Sequence, residues 1–133
     1  MKIADLLQSL SDEQIEYVLV GGLAVQLHGF LRATFDIDLV LAMNDENLGR
    51  FIAVAKRYAL VPAIPVAIES LANPGQIDQW HREKGMLAFS LRETQAGGSI
   101  VDVLVREFFL QMWMKIRCWR NERGKGFKTS CRR

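Results

Sequence analysis

The sequence predicts an α/β (α+β) fold, a mixed β-sheet flanked by helices. Short runs rich in β-branched residues alternate with stretches of helical spacing along the chain. Near residue 100, two strand-like runs flank Glu93-Thr94-Gln95-Ala96-Gly97-Gly98, a loop with the composition of a hairpin connection. Alternation calls for helices packed on a sheet, and the hairpin adds an antiparallel pair.

Taken in order, residues 3–10 read as a short helix and 17–20, Tyr17-Val18-Leu19-Val20, as a strand. Leu23, Ala24 and Leu27 make one helical stripe over 22–28, and Gly29 is placed to stop it. Residues 36–42 alternate as a strand, and 45–59 form a helix whose cap is Asn44. Pro62 and Pro65 then break the chain. A helical turn over 66–71 stops at Asn73-Pro74, and a helix over 75–83 ends at Lys84-Gly85. Strands over 86–92 and 99–105 complete the sheet, the second antiparallel to the first.

The 133 residues suit one domain, with 50% hydrophobic and 24% charged residues. No apolar stretch approaches the roughly 20 residues of a membrane helix, and Met1-Lys2-Ile3-Ala4-Asp5 does not open a signal peptide. A cytoplasmic protein is expected. Cys118 and Cys131 lack metal-ligand company and read as free thiols.

Chemistry concentrates in Asp36-Ile37-Asp38-Leu39-Val40-Leu41. A strand sends alternate side chains to one face, so Asp36 and Asp38 share a face with α-carbons about 7 Å apart, while Ile37, Leu39 and Leu41 face a core. Two carboxylates so placed suit Mg²⁺ or Mn²⁺, which take hard oxygen ligands. Upstream, Gly21-Gly22 falls between the strand and the helix over 22–28. Free backbone N–H groups at a helix start attract an anion, and glycine lets a phosphate approach closely, though many such pairs are only tight turns. A third carboxylate, Asp102, stands in the apolar run Ser99-Ile100-Val101-Asp102-Val103-Leu104-Val105. In a buried strand it needs a cation or donors; on an edge strand it would simply face water.

Together, Val20-Gly21-Gly22, a helix, Arg32-Ala33-Thr34-Phe35-Asp36-Ile37-Asp38-Leu39 and the later Asp102 resemble the nucleotidyltransferase superfamily of polymerase-beta type. The closest likeness is to small bacterial minimal nucleotidyltransferases and abortive-infection toxin nucleotidyltransferases, and it covers roughly residues 15–105. The resemblance implies a nucleotidyltransferase-like fold in which Gly21 and Gly22 hold a nucleoside triphosphate. Asp36 and Asp38 would bind Mg²⁺, and Asp102 would help activate the attacking hydroxyl. Many members have Gly-Ser where this chain has Gly-Gly, which removes a hydroxyl contact to phosphate.

Other residues admit two readings each. Thr34 suits a phosphate contact or a loop end, and Arg32 a γ-phosphate or a surface ion pair. His28 suits a helix end or a catalytic role. Trp80 and His81 suit a base pocket, with core packing the competing role for Trp80.

Residues 106–133 differ electrostatically: residues 1–105 carry a net −5, the remainder +7. Phe109, Met112, Trp113, Ile116 and Trp119 recur at helical spacing over 106–120, followed by Arg123-Gly124-Lys125-Gly126-Phe127-Lys128. The segment reads as an amphipathic, basic extension of the 1–105 domain. It suits either a docking helix with a solvated end or an RNA-binding extension.

The expected activity is NMP transfer from an NTP to a hydroxyl acceptor, whether RNA such as tRNA, a protein or a small molecule, within a toxin-antitoxin setting and as a homodimer or with a partner protein. A non-catalytic interaction module, antitoxin-like or regulatory, is the alternative. An RNA-binding protein led by the basic end is a third.

Overall fold

The computed structural model describes residues 1–20 and 36–105. Helix α1 (Ile3–Asp12) leads to strand β1 (Tyr17–Val20), and strand β2 (Asp36–Leu41) is followed by helix α2 (Asp45–Arg57). Strand β3 (Leu60–Pro62), a 3₁₀ turn (Ile68–Ala72), helix α3 (Pro74–Lys84), and strands β4 (Ala88–Glu93) and β5 (Ile100–Leu104) follow. The five strands form one sheet in the order β1-β2-β5-β4-β3. Only β2 and β5 pair in parallel; the other three pairings are antiparallel. The fold is therefore α+β with a mixed sheet.

Period-two alternation decides which side of the sheet is covered. Ile37, Leu39 and Leu41 of β2, Phe89 and Leu91 of β4, and Val101 and Val103 of β5 are buried in one cluster. Leu6, Leu7 and Leu10 of α1, Phe51, Ile52 and Val54 of α2, Ile68 and Leu71 of the 3₁₀ turn, and Ile77 of α3 complete it. The described helices thus pack on one face. On the other face, Val18 and Val40 are buried outside that cluster.

Local signals explain where the helices start. Asn44 Oδ1 accepts the Asn47 N–H at 2.9 Å, and Asn73 Oδ1 accepts the Gln76 N–H at 3.1 Å, so both asparagines cap helix N-termini. Pro74 occupies the first turn of α3, where its missing N–H costs nothing, and Gly85 closes that helix at φ 67°.

One buried polar side chain fastens α2 to the sheet. Asn47, 1% exposed, donates from Nδ2 to the carbonyls of Glu16 and Ala42, each at 2.9 Å, and accepts the Glu16 N–H at 2.7 Å. It satisfies backbone groups just before β1 and just after β2, at one end of that antiparallel pair.

The strand β3 departs from the sequence reading, which took Pro62 as a break. Leu60 to Pro62 pair with Glu93 to Leu91 at the sheet edge. There, proline's missing N–H is tolerated because no further strand asks for it. The segments 22–28 and 106–120, both expected to be helical, lie outside the described residues.

Candidate active site

The carboxylates of interest are brought together by strand register. Asp38 of β2 lies directly beside Asp102 of β5, and Asp102 lies beside Ser90 of β4. On the far side of Asp38 stands Val20, the last residue of β1. One row thus crosses four strands: Val20, Asp38, Asp102, Ser90. Its side chains share the face opposite the helix-covered core, since Ile37, Leu39, Val101, Val103, Phe89 and Leu91 point the other way. Asp36 is two residues from Asp38 and so joins the same face, at the neighbouring row with Ile100.

Exposure grades along this group. Asp36 is exposed, while Asp38 and Asp102 are half-buried. The fully buried setting expected of Asp102 is corrected here: its neighbours Val101 and Val103 are buried, but the strand has one wetter face, where Ile100 is 38% exposed. An ionised carboxylate at that depth survives by hydrogen bonding and residual solvation. Ser90 Oγ donates to Asp102 Oδ1 at 2.5 Å, in the range of a charge-assisted O–H···O⁻ bond.

Electrostatics couple the three acids. Burial pushes the Asp38 carboxyl above its ordinary value, and the negative charges of Asp102 and then Asp36 push it further. The donors are all hard oxygens, and their mutual repulsion is what a divalent cation relieves, so the residues fit Mg²⁺ or Mn²⁺ chemically. Among the described residues, however, no group of three or more His, Cys, Asp and Glu side chains is gathered into a metal cage. The sheet supplies a row of acids with the ligand shell still open.

Gly21, Gly22, Arg32 and Thr34, the expected phosphate contacts, and His28 lie outside the described residues. Gly21 directly follows Val20, so the described chain ends beside Asp38. Trp80 stacks on Phe89 with ring centroids 6.4 Å apart and packs against the core cluster, which places it on the face away from the acids. Its core role is the one observed. A cleft of about 410 Å³, lined by Ile64, Pro65, Val66, Trp80, Lys84 and Met86 among others, lies on its solvent side. His81 Nδ1 is 2.8 Å from the Met86 carbonyl and is occupied in closing the end of α3.

Sequence reading missed Ser90. Its only signal was a hydroxyl residue within the apolar run 86–92, and the register across the hairpin supplies what was lacking.

No family model, curated relative or solved structure matches this chain. No helix among the described residues is long and apolar enough to cross a membrane.

Proposed function

We propose that the chain is a divalent-metal-dependent nucleotidyltransferase with a nucleotidyltransferase-like fold, moving an NMP from an NTP to a hydroxyl acceptor. The observation that carries this reading is the register of the parallel pair, which sets Asp102 beside Asp38 with Asp36 on the same sheet face. The resemblance around Gly21-Gly22 and Asp36-Ile37-Asp38 supports it.

In this reading Asp36, Asp38 and Asp102 hold Mg²⁺ or Mn²⁺, which when bound neutralises charge on the transferring phosphoryl group. Asp36 and Asp38 orient the α-phosphate through their fixed positions on β2. Asp102 accepts the proton of the acceptor hydroxyl, whose oxygen bonds to the α-phosphorus as the bond to pyrophosphate breaks. Gly21 and Gly22 receive the β- and γ-phosphates, with Arg32 and Thr34 as further contacts. Most of the rate gain comes from positioning and charge neutralisation.

The test incubates labelled NTPs and Mg²⁺ with total tRNA and, separately, with purified protein acceptors. Incorporation that fails in Asp36→Asn supports the reading. Metal-dependent nucleotide binding with no incorporation into any acceptor moves the assignment to a non-catalytic interaction module, a reading favoured by the ungathered carboxylates. Absence of both binding and incorporation overturns the reading.

A further inference from the structure

Ser90 sits in the middle of β4 at a position where the sheet asks only for something that packs. Its neighbours on the same side of the strand are Ala88 and Arg92, and neither shares its row with an acid: Ala88 lies beside Leu104 and Arg92 beside Ile100. A half-buried hydroxyl needs a partner, and a backbone carbonyl would serve. Instead, the Ser90 hydroxyl is given to Asp102, 12 residues away across the hairpin.

That bond has a directional consequence. Asp102 is flanked on one side by Ser90 and on the other by Asp38. With Oδ1 held by Ser90, the carboxylate loses rotation about its Cβ–Cγ bond. Its second oxygen, Oδ2, remains available for other work. A serine proton also satisfies one lone pair of an oxygen that otherwise adds to the repulsion felt by Asp38. Partners of this kind, which grip a ligand rather than the metal, typically alter metal affinity by about 10–100-fold when removed.

We propose that Ser90 is a positioning residue for the carboxylate row, fixing Asp102 so that it and Asp38 present oxygens to one divalent cation. This rests on the nucleotidyltransferase reading only for the existence of the metal site; the assignment of Ser90 is separate from the transfer reaction. Replacement by alanine removes the grip without adding bulk. Threonine returns the hydroxyl with the same branching atom, and it suits a strand.

The experiment measures Mn²⁺ binding to the full chain by calorimetry and by the electron-spin resonance of free and bound Mn²⁺. It uses the parent, Ser90→Ala, Ser90→Thr and Asp38→Asn, each first shown to melt cooperatively. The expected result is an affinity about 10–100-fold weaker in Ser90→Ala, with recovery to within a few-fold in Ser90→Thr and loss in Asp38→Asn. Should Ser90→Ala bind like the parent while Asp38→Asn does not bind, the positioning role is overturned and the metal site stands. If Ser90→Thr is as weak as Ser90→Ala, the hydroxyl is not the operative group and the inference likewise falls. Failure of the parent to bind, or unchanged binding in Asp38→Asn, removes the metal site itself and the role of Ser90 with it.

Discussion

Asp38 carries a charge that the folded chain resists. Its proton affinity is raised first by burial and then by Asp102 and Asp36, whereas in the unfolded chain it titrates near 3.8. Above that value, and up to the raised folded value, the folded protein keeps a proton that the unfolded chain has released, so stability falls as pH rises through this window and stays lower above it. In chelator-treated buffer, Asp38→Asn is therefore expected to be more stable than the parent at neutral pH. The two should converge below about pH 3.8, as followed by urea melts across the pH range. A variant that is less stable at neutral pH would mean that Asp38 makes attractive contacts outweighing the repulsion. Asn47 is the contrasting case, a neutral polar group with every bond made. Asn47→Leu preserves volume but strands the Glu16 N–H and two carbonyls, and a loss of about 3 kcal/mol or more is expected in the same assay. Alternation alone placed Asp36 and Asp38 on one face. The part played by Asn47 was hidden because its partners are 31 and 5 residues away and are backbone atoms.

At the level of the elements, ends explain what was readable and what was not. Asn44 and Asn73 announced α2 and α3 because an N-cap acts within three residues, a range that the sequence exposes directly. The strand β3 was hidden because three residues ending in proline carry no period of their own; pairing with β4 makes them a strand. The exit from α2 shows a local compromise. Ala59 adopts φ 54°, the left-handed conformation that usually follows a helix as glycine. Ala59→Gly is expected to stabilise by roughly 0.5–1 kcal/mol, since relief of Cβ strain outweighs the added freedom of the unfolded chain. A thermal melt that shifts downward would show that the alanine methyl packs usefully. The 93–98 connection has the opposite character. A Cβ on Gly98 would stand 2.5 Å from Glu93 Cβ, and the Glu93 carboxylate also accepts the Ser99 N–H at 2.7 Å. Gly98→Ala is expected to cost about 1–3 kcal/mol and to speed amide exchange at the open end of the β4-β5 pair, as measured by hydrogen–deuterium exchange.

For the molecule as a whole, the sheet order matters most. The mixed sheet was legible because a hairpin signal followed alternating elements. The neighbouring of β2 and β5 was not, since parallel pairing of distant runs leaves no local mark. Asp102 could therefore be singled out by its apolar company but joined to Asp38 only through topology. If a cation binds across that pair, it stabilises the folded state by mass action. Mg²⁺ at a hundredfold excess over its dissociation constant is expected to add about 2.7 kcal/mol, seen as a higher melting temperature that reverses with chelator and is absent in Asp102→Asn. An unchanged melting temperature across millimolar Mg²⁺ would place any ion binding outside the physiological range.

The parallel pairing also orders events in time. Asp38 and Asp102 come from runs separated by α2, β3, the 3₁₀ turn, α3 and β4, so their meeting closes a long loop that must be folded before the two strands can touch. Neither half of the chain owns the acidic row. A nascent or cleaved chain lacking β5 would hold only two of its carboxylates, and competence to grip an ion would arrive as one of the last acts of folding.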